Sequence, residues 1–283
     1  MPRLVVSFVV VVTLTAVAPG LAQDDDSYMW MEEVENAKAL EWASERSTKD
    51  TAVLEAVAEY EPIHQELLEI YNSSDRIPFP SIRGAWVYNF WRDPDHVRGI
   101  WRRTSLDAYV EEEPAWETVI DLDALAESEG ENWVWKGATC LPPEDRRCMV
   151  RLSRGGADAV EQREFDTVDK QFVEGGFRLD EAKSHFAVSW LDEDTLWMGT
   201  DFGEGSMTTS GYPRFVKEWK RGTPVTAAET LFETSAENTY AIANVTHTPE
   251  GRYDMVMMAP QFFRESYWIR LGERLVRLGL PDD

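Results

Sequence analysis

From Ser81 onward the chain is written in short runs of aromatic and β-branched residues, each cut off after a few positions by Gly, Pro or Asp. Runs of this kind are strand signals bounded by turns. They fall at Trp86–Trp91, Gly99–Thr104, Glu117–Asp121, Trp133–Ala138, Met149–Ser153 and Val160–Asp166, and continue at Phe186–Trp190, Thr195–Thr200, Phe215–Lys220, Tyr240–Thr246 and Tyr253–Met258. A last stretch, Tyr267–Leu278, reads as a hairpin whose outgoing strand needs a neighbour. Twelve Trp, twelve Phe and nine Tyr supply the large buried areas that a sheet-rich architecture uses. Strands this dense predict a mainly β fold, an antiparallel meander repeated several times, which is how a β-propeller is built. The roughly 200 residues from Ser81 onward allow about four to five blades at ~40–50 residues each. A β-sandwich would also account for many short strands, and the pattern alone leaves both open.

The text before Ser81 differs. Residues 1–22 read as a secretory signal, with Arg3 as the positive start, an apolar run from Leu4 to Val17 and a small-residue cleavage site at Pro19–Ala22. The apolar run is short for a bilayer span and is interrupted by Thr13 and Thr15, so cleavage near Gln23 is expected, with the product in the periplasm or outside the cell and away from the membrane. Residues 23–76 are expected to form a helical arm. Trp30, Val34, Ala37 and Leu40 fall at helical spacing; a second run from Asp50-Thr51 carries Leu54, Val57 and Ala58; Pro62 opens a third through Leu67, Leu68 and Tyr71. Pro78 and Pro80 then mark the boundary to the strand-rich region, 77–283.

The formal net charge of minus 24 repels phosphate backbones, so nucleic acid is not an expected partner. Solubility is the first reading of that acidity, and a field that draws in cationic peptides is the second. Cys140 and Cys148 flank the turn-like Leu141–Asp145, where either a disulfide stapling a hairpin or two buried free thiols fit. His64, His96, His185 and His247 are scattered without paired ligands at metal-binding spacing, so neither a metal nor a cofactor is expected. No Gly-x-Ser-x-Gly elbow occurs, nor any phosphate-loop or dinucleotide fingerprint. The nearest approaches to a nucleophile, Ser206 after Gly203-Glu204-Gly205 and Ser153 before Gly155-Gly156, read as glycine turns. Asp93 with Asp95, and Asp192 with Asp194, are carboxylate pairs that a propeller glycosidase would need, but their setting favours turn residues satisfying backbone donors. The sequons at Asn72 and Asn244 would be glycan acceptors in a eukaryotic secretory route and are otherwise chance occurrences.

Tyr28-Met29-Trp30-Met31-Glu32-Glu33-Val34, followed by Ala39-Leu40-Glu41-Trp42, resembles the opening arm of prolyl oligopeptidases. Val87–Trp91, Trp101–Thr104 and Trp116–Asp121 look like that family's first propeller blade, and Glu131–Trp135, Ser153–Asp158 and Gly199–Gly203 resemble the blades after it. Each piece is short; their order along the chain carries the resemblance. It implies an exported serine peptidase in which a propeller restricts entry of short peptides to an α/β-hydrolase domain carrying Ser, Asp and His. The family places those three beyond residue 283, so no residue here is assigned a catalytic role, and the chain is expected to be a partial propeller, about four blades of seven, inactive alone. Its helical stripes and open strand edge would then favour self-association. The alternative is a self-contained exported propeller that binds peptides or partners without chemistry.

Overall fold

The computed structural model describes residues 27–33, 36–73, 75, 77–184 and 188–281; the expected signal segment 1–22, Val34, His185 and Phe186 lie outside them. The chain divides into two compact units, residues 1–71 and 72–283.

In the first unit a 3-10 turn at Met29–Met31 precedes α1 (Ala37–Glu55) and α2 (Tyr60–Asn72). Asn36 caps α1, its Oδ1 accepting from Lys38 N at 3.0 Å and Ala39 N at 3.2 Å. The helix break expected at Asp50-Thr51 is absent. No Gly or Pro interrupts 37–55, and α1 runs through to Glu55. Pro62 stands in the first turn of α2, where its missing N–H costs nothing. Trp30 lies outside the helices, stacked edge-on against Trp42 at 6.3 Å with Lys38 Nζ 4.1 Å from its ring. No side chain of α1 or α2 is buried.

Among the described residues the second unit is mainly β and forms four sheets, one after another along the chain. The first contains β1 (Ser81–Arg83), β2 (Trp86–Trp91), β3 (Ile100–Ser105) and β4 (Glu117–Asp121). The second contains β5 (Trp133–Cys140), β6 (Arg147–Arg154) and β7 (Val160–Asp166), whose far edge is shared by β8 (Gln171–Phe172) and β9 (Arg178–Ala182). The third comprises β10 (Val188–Asp192), β11 (Thr195–Met198), β12 (Phe215–Lys220) and β13 (Glu229–Glu233). The fourth comprises β14 (Tyr240–Thr248), β15 (Gly251–Gln261), β16 (Arg264–Leu271) and β17 (Arg274–Arg277). Every pairing is between antiparallel neighbours, so each sheet is a meander and a propeller blade; the sandwich alternative is excluded. Two short helices, α3 (Leu106–Tyr109) and α4 (Leu122–Glu129), carry the chain past β3 and β4, each started by a side-chain cap, from Ser105 and Asp121 respectively.

Three hydrophobic clusters fill the three gaps between four sheets. Strand alternation makes this possible, because successive side chains serve opposite faces. On β6, Val150 and Leu152 join Trp101 and Trp133 in the first cluster, whereas Met149 joins Trp190 and Trp219 in the second. On β11, Leu196 and Met198 belong to the second cluster and Trp197, between them, to the third with Val216 and Val256. The middle strands are therefore buried on both faces.

Gly99 shows how tight the first blade is. Its φ of +102° suits glycine, and a Cβ there would fall 2.6 Å from the Phe90 ring and 2.8 Å from the Trp91 carbonyl. Gly99→Ala is expected to lower stability by about 1–3 kcal/mol in urea denaturation; a change within about 0.5 kcal/mol would contradict this packing.

Candidate functional site

The first strand of each blade is tied to the next by side chains reaching backbone carbonyls. Arg83 Nη2 of β1 donates to Ala138 O of β5 at 3.2 Å, and Trp190 Nε1 of β10 to Thr139 O of β5 at 2.9 Å. Ser189 Oγ of β10 donates to Ala243 O of β14 at 3.2 Å, and His247 Nε2 lies 2.8 Å from Trp190 O. The line β1, β5, β10, β14 is thus the inner edge of the blade array.

A cavity of about 580 Å³ opens along this edge. Val188, Ile242, Ala243 and Met257 give it apolar wall, Tyr212 and Tyr240 give aromatic wall with rings 6.2 Å apart, and Thr139, Ser189, Asn244, Arg151 and Lys183 supply polar groups. The Tyr240 hydroxyl donates to Glu265 Oε1 at 3.1 Å. Burial, then the charge and hydrogen bond of Glu265, push this phenol up to about 12, so it remains a neutral donor. Apolar walls with dispersed donors and acceptors suit a short peptide, whose backbone offers both along its length.

Cys140 and Cys148 face each other across β5 and β6 and are joined as a disulfide, with Cα atoms 3.9 Å apart. The two near-nucleophiles are held in turns. Ser206 Oγ lies within hydrogen-bond distance of Asp201 Oδ1 and Gly203 O and accepts from Phe202 N; Ser153 Oγ donates to Ala157 O. Asp93 accepts from Asp95 N, His96 N and Trp91 Nε1, and Asp192 accepts from Asp194 N, so one carboxylate of each pair is spent on a local turn, while Asp194 accepts from Arg221 Nε at 3.0 Å. His64 and His247 stand on different elements. Among the described residues no group of three or more His, Cys, Asp or Glu is arranged to hold a metal ion. Asn244 of the second sequon lines the cavity; Ser74 of the first lies outside the described residues. No motif in the sequence marks Arg83, Arg151, Lys183, Tyr212 or Tyr240 as site residues.

Several carboxylates are held ionised by the fold. Burial works to raise Asp166, but the backbone N–H of Asp169, the Arg146 guanidinium and the N–H of Val168 bring it below the ordinary aspartate value. Hydrogen bonds from Arg103 and Lys170 lower Glu117, and the Arg163 guanidinium lowers Glu129 against the effect of burial. A carboxyl lowered in the fold contributes stability that is complete above its unfolded value and is lost as pH falls through the folded one. Asp145, raised mainly by burial, acts in the opposite sense. The lowered groups outnumber it. Stability in urea is therefore expected to be level from pH 7 to about pH 6 and to fall progressively below about pH 4.5; a midpoint that rises on acidification would contradict the assignment.

Four meander blades tied along their first strands, with an aromatic-lined cavity at that inner edge, define a β-propeller domain preceded by a helical arm. The family model for the prolyl oligopeptidase N-terminal β-propeller domain matches residues 18–277, and the chain belongs to that family. It is 36% identical over 240 residues to an uncharacterized peptidase of Sinorhizobium fredii, an alignment covering 84% of this chain and 33% of the relative. The solved structure of a post-proline cleaving enzyme from Rickettsia typhi superposes with a TM-score of 0.83 at 30% identity, covering 92% of this chain and 39% of that one. Oligopeptidase B from Leishmania major shares the fold at a TM-score of 0.69 and 14% identity, over 88% of this chain and 34% of that one. The chain thus spans about a third of the length of these peptidases.

Proposed function

We propose that this chain is the substrate-admitting region of a prolyl-oligopeptidase-type serine peptidase, and that short peptides contact the inner edge of its propeller on their way to a hydrolase domain. The cavity between β5, β10 and β14 carries the reading, because it places aromatic surface and backbone-matching donors where the blades converge. Hydrolysis is assigned to a hydrolase domain rather than to this chain's Ser153 or Ser206, which are occupied in turns. The test combines a fluorogenic prolyl peptide, a serine-reactive phosphonate and intact mass on one sample of the purified chain, with peptide binding followed by anisotropy. Binding without turnover or adduct is expected. Turnover with a labelled serine would overturn the assignment of chemistry, and absence of binding would overturn the peptide contact.

The export reading belongs to the same proposal: residues 1–22 direct the chain out of the cytoplasm and are removed. N-terminal sequencing of protein from a bacterial periplasmic fraction is expected to start near Gln23; an intact Met1 would contradict it. Self-association follows from the arm, where Leu54 is 60% and Tyr71 69% exposed. Light scattering is expected to give a mass above that of a single chain, and a concentration-independent monomer would contradict it.

A further inference from the structure

Two arginines at the inner edge of the propeller have no carboxylate at ion-pair distance among the described residues. Arg83, at the end of β1, uses Nη2 on the Ala138 carbonyl, while its Nε is buried without a hydrogen-bond partner. Arg151, on β6, donates from Nε to Lys136 O at 3.2 Å and from Nη1 to Thr139 Oγ1 at 2.6 Å. Among the described residues neither forms an ion pair with a carboxylate. Asp145 exerts a through-space attraction on Arg83 only, and its own carboxyl is pushed up by burial. Both arginines are half-buried and line one cavity of about 240 Å³. Arg151 also lines the larger cavity, together with Lys183, whose Nζ lies 5.6 Å from the Tyr212 ring.

In a chain of net charge minus 24, Arg103, Arg146, Arg154, Arg163, Arg221 and Arg270 are matched to carboxylates. Arg98 and Arg102, like Arg83 and Arg151, are not, but only the latter two face one cavity together among these four. Burial first, and then the neighbouring Arg83 charge, push Arg151 down to about 10. The backbone also makes room for the arrangement: Gly137 has φ +106°, and a Cβ there would lie 2.6 Å from Arg151 Nη2. A guanidinium fork matches a carboxylate in geometry as well as charge, and an anion between two such groups relieves their repulsion.

We propose that Arg83 and Arg151 form a carboxylate-binding site at the inner edge of the propeller, which anchors a peptide by its free C-terminus or by an Asp or Glu side chain. The proposal rests on the reading of this edge as the peptide-contacting surface. It runs against the cationic preference that overall acidity suggests, because the local charge at the cavity has the opposite sign to the net charge.

The test uses the purified chain and four versions of one proline-containing hexapeptide ending in Glu: free acid, C-terminal amide, Glu→Gln free acid, and Glu→Gln amide. Removing the carboxylate that seats between the arginines is expected to weaken binding about tenfold or more, and which peptide loses affinity identifies the source. Arg151→Gln is expected to erase the differences and Arg151→Lys to retain part of them. Should Arg151→Gln fail to fold, added salt and succinate acting on the wild-type chain are expected to compress the same differences. Equal binding of all four peptides by the wild-type chain would overturn the carboxylate site while leaving peptide contact intact. Where none binds, the peptide reading fails, and succinate titration of the arginine Nε resonances decides the site alone. Saturable shifts at Arg83 and Arg151 would sustain it, and none would overturn it.

Discussion

Replacing Arg221 with alanine is expected to remove about 3–5 kcal/mol of unfolding free energy. Arg221 follows β12 in the third blade and reaches into the second, where its two terminal nitrogens donate to both carboxylate oxygens of Glu164 at 2.8 and 3.0 Å. Glu164 is on β7 with a side chain fully removed from solvent, and it also accepts from Phe177 N at 2.9 Å. The guanidinium lies 4.6 Å from the Phe177 ring. Truncation leaves a buried carboxylate whose remaining partners are Phe177 N and, at 3.9 Å, Arg147. The loss is large because the orphaned charge is costly, rather than because the pair was worth that much. Arg221→Ala combined with Glu164→Gln is therefore expected to be more stable than Arg221→Ala alone. Urea denaturation followed by tryptophan fluorescence measures both. A single-variant loss below about 1 kcal/mol would mean that the pair is not the clamp between the second and third blades.

Trp190→Ala is expected to cost a similar amount, about 3–5 kcal/mol, for a different reason. Trp190 is 2% exposed on β10 and packs edge-on against Phe177 at 5.7 Å, inside the cluster between the second and third blades. Its truncation opens a cavity that neighbours pinned in sheets cannot collapse into, and it leaves the Thr139 carbonyl without its Nε1 donor. Against a typical total of about 5–15 kcal/mol, such a loss approaches global unfolding. Trp190→Phe restores most of the volume but not the donor and is expected to fall between. Val97→Ala, at a position 72% exposed, serves as the reference and is expected to stay within about 0.5 kcal/mol of wild type. Equal midpoints for Trp190→Ala and Val97→Ala would contradict the packing between these blades.

The strands legible in the sequence are those whose side chains fill the gaps between blades. Trp86–Trp91, Glu117–Asp121, Val160–Asp166 and Phe215–Lys220 fall where the residue pattern puts them, because burial demands aromatic and β-branched residues there. Outer and very short strands escape. Glu229–Glu233 is mostly exposed and carries little apolar signal, and Ser81–Arg83 is three residues long directly after Pro78 and Pro80. Residues 178–182 read Arg-Leu-Asp-Glu-Ala, buried only at Leu179 and Ala182. In the arm, Asp50-Thr51 has the form of a helix start, yet α1 passes through it because the preceding residues are already helical. The cavity residues were the least legible. Arg83 and Arg151 are ordinary polar positions on strands, and only the ordering of β1 and β5 around the inner edge brings them to one cavity. A lone arginine in a strand carries no motif; the missing partner carboxylate is visible only in three dimensions.

Whether peptides meet this domain at the inner edge of its blades is decided by photo-crosslinking. A proline-containing peptide bearing a benzophenone is irradiated with the purified chain, and the adducts are mapped by mass spectrometry with unlabelled peptide as competitor. Competable adducts are expected at Tyr212, Tyr240 and Met257, around the cavity between β5, β10 and β14. Competable adducts confined to the outer strands β4 and β13 or to the helices of the arm would contradict it.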